Sequence, residues 1–350
     1  MTIQQLLELT ISKNASDLHL VVGFPPLMRI QGELFPVPGE DLLSPSGVES
    51  MITSLVTETQ KNIFFQNWEL DFSFDFEGKG RFRVNLYKQK NYPAAALRMI
   101  PLTIRSLAEL GMPQVLSKIT DLKQGFILVT GPTGQGKSTS LAAFINSINH
   151  QRPAHIITVE DPIEYVYPRG KALVSQREIY SDTKSWSNAL KAILREDPDV
   201  VLIGEMRDLE TISSAMTIAE TGHLVFATLH TNSASQSIDR IIDVFPQNQQ
   251  PQIRLQLAAT LEAIISQRLV PTLSPGRTLA TEILFGVPAT RNIIREGKTY
   301  LLDNLIQTSA ELGMMSLEYS LATLVKAGKI SAEVAMRYAL RPDLLDKLLG

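Results

Sequence analysis

The sequence predicts an α/β protein in two parts, a small mixed module followed by a larger doubly wound parallel sheet. Three observations carry that prediction. From Gly111 onward, short apolar runs alternate with segments of helical spacing, the pattern of strand–helix–strand units. Before Pro101 the strands are joined instead by tight turns such as Gly23-Phe-Pro-Pro26 and Glu77-Gly-Lys-Gly80. A chain of 350 residues also exceeds one ordinary domain, and its 44% hydrophobic content suffices for two cores.

Taken in order, Ile3, Leu6, Leu7 and Ile11 fall on one face of an opening helix. Leu18–Val22 and Leu27–Ile30 read as strands, and Pro45 to about Phe65 as a second helix. A hairpin follows, because Phe72, Phe74 and Phe76 alternate with polar residues, as do Phe82, Val84 and Leu86 after the turn. Period-two alternation puts Arg81, Arg83 and Asn85 on the face opposite the aromatic one. A further strand, Ala94–Ile100, carries Arg98 and ends at Pro101. The domains expected are 1–100, a linker over 101–111, a larger domain over 112–290 and a helical extension over 291–350. Within the larger domain the strands are Phe126–Thr130, His155–Val159, Val200–Ile203 and Leu224–Leu229, all short and apolar. Helices are expected near 137–150, 184–195, 208–221 and 234–242, and the chain from about Pro251 reads as mostly helical.

Residues Gly131 to Ser138 read G-P-T-G-Q-G-K-S, a complete phosphate-binding loop between a strand and a helix. Glycines 131, 134 and 136 let backbone N–H groups turn inward on a polyphosphate, and the helix N-terminus adds its positive dipole end. Lys137 is placed for the β- and γ-phosphates and the Ser138 hydroxyl for Mg²⁺. The expected contact set is Gly131, Thr133, Gly134, Gln135, Gly136, Lys137, Ser138 and Thr139, with ATP and Mg²⁺ as ligands.

Other classes are excluded by composition. A formal charge of −3 offers no footprint for bulk nucleic-acid binding. Zero cysteines rule out disulfides, thiolate zinc sites and cysteine nucleophiles. Met1-Thr-Ile-Gln-Gln5 lacks the features of a signal peptide, and no apolar run approaches the roughly 18 residues of a membrane span. A cytoplasmic location is therefore expected.

Three clusters sit at strand ends, where an open α/β sheet places its ligand. They are Glu160-Asp-Pro-Ile-Glu164, Gly204-Glu205-Met-Arg-Asp208, and the pair Thr221-Gly-His223 and Leu229-His230-Thr-Asn232. Phosphoryl transfer to water needs a metal, a residue that orients the water and a cation for the developing charge. Ser138 with Mg²⁺ serves the first, and Glu205 the second. Arg195 and Arg207 are available for the third, but Arg83 and Arg98 on neighbouring strands are the better candidates. A histidine such as His223 is more often structural than catalytic.

These motifs together resemble the secretion-ATPase superfamily, most closely the retraction ATPases of type IV pili. The resemblance covers essentially the whole chain. It rests on the phosphate loop, on Thr158-Val-Glu-Asp-Pro-Ile-Glu164, on Asp197–Asp208, and on the histidine box Thr221–Asn232. Ile238–Pro246 and Ala289-Thr-Arg-Asn-Ile-Ile-Arg-Glu296 extend it, the latter close to a motif that the retraction subfamily needs for retraction rather than hydrolysis. The resemblance implies a PAS-like N-terminal α/β domain, a RecA-like ATPase domain with a helical C-terminal extension, and a homohexameric ring. It also implies Arg83 and Arg98 at the phosphates, Glu164 and His230 as sensors of nucleotide and metal, and a pilus platform protein in the inner membrane as partner. The chain would then be peripheral at the cytoplasmic face. Two departures stand out. Gln135 replaces the serine common in this loop, at a position expected to offer mainly its backbone. Gly204 stands where many phosphate-loop ATPases carry an aspartate, which leaves Mg²⁺ fewer protein ligands.

The competing readings are a pilus-assembly or secretion ATPase, a retraction accessory paralogue, and a nucleotide-gated scaffold without turnover. Assembly enzymes often carry a four-cysteine zinc module, which this chain cannot form. Glu205 beside Lys137 disfavours the scaffold. A DNA-translocating ring is weaker still, for want of a basic stripe or an aromatic platform.

Overall fold

The computed structural model describes residues 1–30, 32–100 and 103–350. Its contacts separate Met1–Thr103 with Pro162–Val166 from Ile104–Asp161 with Tyr167–Gly350. Pro101, where the linker was expected to begin, lies outside the described residues. From Ile104 the chain already belongs to the second unit, with Leu107 and Leu110 packed against its core.

The first unit runs α1 (Ile3–Ser12), β1 (Asp17–Leu20), β2 (Leu27–Ile30), β3 (Glu33–Pro36), α2 (Pro45–Thr53), α3 (Glu58–Asn67), β4 (Glu69–Phe76), β5 (Gly80–Gln89) and β6 (Tyr92–Ile100). The strands form one sheet in the order β3-β2-β1-β6-β5-β4. Phe72, Phe76, Phe82, Val84 and Leu86 bury one face against Leu6, Leu7, Val48, Ile52 and Phe64. The single helix expected over 45–65 is two helices, because Thr57 starts a new one. Its hydroxyl accepts the N–H of Gln60, whose side chain accepts the N–H of Thr57.

The second unit opens on a 3₁₀ segment (Gln114–Asp121) and β7 (Gly125–Thr130). It continues through α4 (Lys137–Gln151), β8 (His155–Glu160), β9 (Leu173–Glu178), α5 (Trp186–Ile193), β10 (Val200–Ile203), α6 (Leu209–Glu220), β11 (Leu224–Leu229), α7 (Ala234–Asp243) and α8 (Gln250–Thr260). Then come β12 (Leu261–Pro271), β13 (Arg277–Phe285), α9 (Pro288–Glu296), α10 (Leu302–Thr308), α11 (Leu317–Lys326), α12 (Ala332–Tyr338) and α13 (Pro342–Leu349). The sheet order is β13-β12-β7-β11-β10-β8-β9. The five strands β7, β8, β9, β10 and β11 are mutually parallel with their neighbours, so β7, β8, β10 and β11 end on one edge.

Each central strand serves two cores at once. Phe126 and Leu128 pack with Ile212, Met216 and Ile238 on one face. Ile127 and Val129 pack with Leu141, Phe144 and Ile148 of α4 on the other. This double burial is why these strands read as continuous apolar runs.

The chain after Pro251 is mostly helical, as expected, but one unexpected hairpin interrupts it. Only α8 is helical at first; β12 and β13 then pair antiparallel and extend the sheet beside β7. Strand β12 is buried on both sides except at Glu262, Leu269 and Pro271, so it shows no alternation to separate it from a buried helix. Polar β9 was missed for the opposite reason, since its Leu-Val-Ser-Gln-Arg-Glu run lies at the sheet's edge. Helices α11, α12 and α13 form a further small core around Val270, Ala280, Leu321 and Leu345.

Gly286 makes the turn out of β13 possible, because a Cβ there would stand 1.9 Å from the carbonyl oxygen of Leu261. Gly286→Ala is therefore expected to destabilise the protein by about 2–3 kcal/mol through backbone displacement. Chemical denaturation of the two proteins measures it.

Candidate nucleotide site

The phosphate loop leaves β7 at Gly131, whose φ of 146° only glycine adopts readily. A Cβ there would also lie 2.6 Å from the Gln267 carbonyl oxygen on β12. Gly136, in the left-handed region at φ 79°, starts α4 without any side-chain cap. By contrast α5, α6 and α7 are capped by Ser185, Asp208 and Ser233. No side chain of Gly136 competes at this helix start, and the helix dipole favours an anion there. Lys137 is 8% exposed, and its Nζ donates to the carbonyls of Gly131 at 2.8 Å and Pro132 at 3.1 Å. The ammonium is held over the loop it serves.

Strand β12 braces this loop. Gln267 Nε2 donates to the Gln135 carbonyl at 2.7 Å, and Ser140 Oγ donates to Gln267 Oε1 at 2.9 Å. Gln135 does more than lend its backbone, since its Oε1 accepts the Leu269 N–H at 2.6 Å. Where a serine would be too short, the longer amide reaches the neighbouring strand.

The ends of β10 and β11 bring the candidate chemistry together. Glu205 Oε2 accepts Arg207 Nη2 at 2.8 Å, and Glu205 Oε1 lies 3.2 Å from His230 Nε2. His230 Nδ1 lies 3.3 Å from Thr133 Oγ1 in the phosphate loop. Burial and the charge of Lys137 push His230 below its ordinary value against the pull of Glu205, so the ring is neutral near pH 7. A neutral ring paired with a carboxylate carries its proton on Nε2, and Nδ1 accepts from Thr133. Burial pushes the Glu205 carboxyl up, but the Arg207 hydrogen bond, the charges of Arg207 and Lys137, and His230 in its protonated form at acid pH outweigh it and hold it below the usual value. Glu205 is therefore an ionised acceptor, suited to orienting a water.

Gly204 has a local reason. Its N–H donates to Val159 O at 2.9 Å, and its carbonyl accepts Thr228 Oγ1 at 2.5 Å. A Cβ would meet Val159 O at 3.2 Å and the Glu160 Cα at 3.4 Å. An aspartate in that gap would push β8 and β10 apart.

Glu164 lies in Pro162–Val166, a stretch whose contacts group with the first unit. Its neighbour in sequence, Glu160, is the buried carboxylate at the end of β8, accepting Thr158 Oγ1 at 2.7 Å and Gln176 Nε2 at 3.3 Å. His223 Nδ1 donates to the Ile218 carbonyl at 2.9 Å at the end of α6. In the first unit Arg83 stands directly across from Arg98 on the face away from the aromatic core. Arg98 Nε donates to buried Asp17 at 2.9 Å yet remains 72% exposed.

Sequence reasoning missed Gln267 and Arg268, which lie on a strand read as helix, and undervalued Arg207. Arg207 carried a signal in its spacing, two residues after Glu205 on a strand-end loop.

A strand–loop–helix phosphate cradle, with an acidic strand-end group two strands away, defines a phosphate-loop nucleotide protein of the RecA-like kind. The profile of the family described as "Type II/IV secretion system protein" matches residues 66–295. The chain belongs to that family. It is 45% identical over 343 residues to the "Type IV pilus retractation ATPase PilT" of Pseudomonas aeruginosa, covering 98% of this chain and 99% of that one. It is 48% identical over 315 residues to the "Twitching motility protein" of Neisseria gonorrhoeae, covering 90% of this chain and 84% of that protein. The crystal structure of the pilus retraction motor PilT with bound ADP superposes at a TM-score of 0.93, with 44% identity and 99% of each chain covered.

Proposed function

We propose that this chain is a motor ATPase that couples ATP hydrolysis to retraction of a type IV pilus. The observation that carries the chemistry is the chain of contacts Thr133–His230–Glu205–Arg207, which ties the phosphate loop to an ionised carboxylate. The resemblance to a pilus retraction ATPase along nearly its whole length supports the direction of work. Helix α9 supports it too. Arg291 is turned inward onto the carbonyls of Gly286 and Ala258 and onto Glu262, while Asn292, Arg295 and Glu296 are exposed for a partner.

In this reading ATP lies along the loop from Gly131 to Thr139, with Lys137 at its β- and γ-phosphates. Among the described residues no three His, Cys, Asp or Glu side chains gather to hold a metal. That donor set suits a magnesium ion that arrives on the phosphates and takes the Ser138 hydroxyl as its protein ligand. Mg²⁺ bound there supplies charge neutralisation for the transferring phosphoryl group. Glu205 orients the attacking water, His230 reports loop occupancy to Glu205, and Arg83 and Arg98 supply the remaining positive charge. Glu164 is retained as a nucleotide sensor from the first unit. Six copies form the ring, at the cytoplasmic face of the inner membrane, where ATP-driven domain rotations act on the pilus platform protein. Among the described residues no helix is long and apolar enough to cross a membrane.

Two measurements test this. The purified chain should hydrolyse ATP only with Mg²⁺, and its gene should restore twitching to piliated cells that lack their retraction ATPase. Tight ATP binding without turnover would point to a scaffold, and restored piliation without retraction to an assembly enzyme. Arg83→Ala should slow turnover by about tenfold or more while leaving ADP affinity nearly unchanged. An unaltered rate removes Arg83 from the scheme.

A further inference from the structure

The hydrolysis scheme leaves one deeply buried carboxylate without a role. Glu282, on β13, is 1% exposed, and its Oε1 accepts the N–H of Ala234, the first residue of α7, at 2.8 Å. Its Oε2 has no hydrogen-bond donor among the described residues; the Arg341 Nη2 atom lies 3.5 Å away. Arg341 sits just before α13 and answers to three carboxylates. Its Nε and Nη2 reach Glu318 Oε2 at 3.2 and 2.9 Å, and its Nη1 lies 3.1 Å from Asp303 Oδ2. Glu318, itself 0% exposed on α11, uses Oε1 to accept the N–H groups of Arg341 at 2.9 Å and Leu340 at 3.2 Å. Asp303 on α10 in turn accepts Ser235 Oγ of α7 at 3.4 Å.

From the other side, Arg268 of β12 grips the same stretch of chain. Its Nη2 donates to Asn232 O at 3.1 Å and to Asn232 Oδ1 at 2.9 Å, and its Nη1 donates to Gln267 O at 3.0 Å. The turn from His230 to Ser233 is thus clamped at Asn232 by Arg268 and at Ala234 by Glu282. His230 leads that turn and touches both Thr133 and Glu205.

We propose that Glu282 is a positioning residue for the His230 turn, and that Arg341 makes this hold depend on the C-terminal helices α10–α13. The inference rests on the reading of His230 as part of the hydrolytic site. Charge is the means. An ionised Glu282 at the N-terminus of α7 gains from the helix dipole and strengthens its bond to Ala234; a protonated one loses both. Burial pushes the Glu282 carboxyl up to about 7, the Ala234 N–H and Arg341 pull it down, and Asp303 and Glu318 raise it further. Arg268 faces it from β12, its own charge drawn to Glu282. The clamp consequently tightens as pH rises through neutrality, and any movement of α10–α13 that withdraws Arg341 loosens it.

The test is the ATPase rate of the full chain from pH 6 to 8.5, with kcat and KM for ATP separated. Glu282→Gln keeps a carbonyl for the Ala234 N–H but stays neutral, so it isolates the charge from the fold. Wild-type kcat should climb about threefold through pH 7, the scale of one charge–dipole interaction, with KM steady. Glu282→Gln should stay at the low-pH rate without that climb, and Arg341→Lys should move the inflection to higher pH. His230→Ala should lower kcat throughout. A His230→Ala defect alongside superimposable wild-type and Glu282→Gln profiles overturns this inference alone. An unchanged kcat in His230→Ala overturns the His230 reading and the inference with it.

Discussion

Lys137→Ala should abolish nucleotide-dependent activity. The ammonium is buried over the loop, held by the carbonyls of Gly131 and Pro132, at the start of a helix with no side-chain cap. Its loss removes the one lysine charge built into the cradle and leaves backbone N–H groups as the loop's own donors to the phosphates. Charge-assisted contacts to phosphate are worth roughly twice a neutral hydrogen bond, and transition-state donors about 3 kcal/mol. ATP affinity should therefore fall about a hundredfold or more, with phosphate release at background. Nucleotide binding and phosphate release on the same preparation measure both. Retention of tight binding and turnover would remove Lys137 from the phosphates. An unfolding temperature matching wild type in nucleotide-free buffer separates lost chemistry from lost fold.

Glu205→Gln should separate binding from hydrolysis. Glutamine matches the shape of glutamate and its one carbonyl oxygen still accepts from Arg207 or His230, so the loop and the nucleotide contacts are expected to persist. What disappears is the negative charge that orients and draws a proton from the attacking water. A kcat reduced by about 10²- to 10³-fold, with ATP binding within a few-fold of wild type, is the expected result. Near wild-type turnover would give the water-orienting role to another carboxylate, with Glu160 the next to test. The pH dependence follows in sign. A carboxyl held below its ordinary value stays ionised as pH falls through the mildly acidic range, so Glu205 contributes no loss of rate there. Any climb in rate near neutrality belongs to another group.

Much of this site was legible before folding, but unevenly. The phosphate loop could be read because all of its parts are consecutive, and because its glycines report backbone conformations that other residues resist. Glu205 and His230 could be read because each follows a short apolar strand, and parallel strands deliver their ends to one edge. Glu164 was legible as part of an acidic box but not as to place, since the chain leaves the second unit's contacts between Pro162 and Val166. Its neighbour Glu160, still on the strand, is the one buried at the sheet edge. Gln267, Arg268 and Glu282 were illegible as site residues, because β12 and β13 are buried on both faces and carry no alternation.

The sequence by itself determined the phosphate cradle, the strand–helix alternation of the second unit and the arginine-bearing face of the first. Each of these is written in neighbouring residues through backbone preference and side-chain period. The tertiary structure decided which strand lies beside the loop, which carboxylate meets His230, and how the last helices reach the His230 turn. Those outcomes depend on pairings such as Gln135 with Gln267 and Glu282 with Arg341, across more than 130 and nearly 60 residues. No local propensity encodes such pairings; they form only when burying the two cores has fixed the order of the strands.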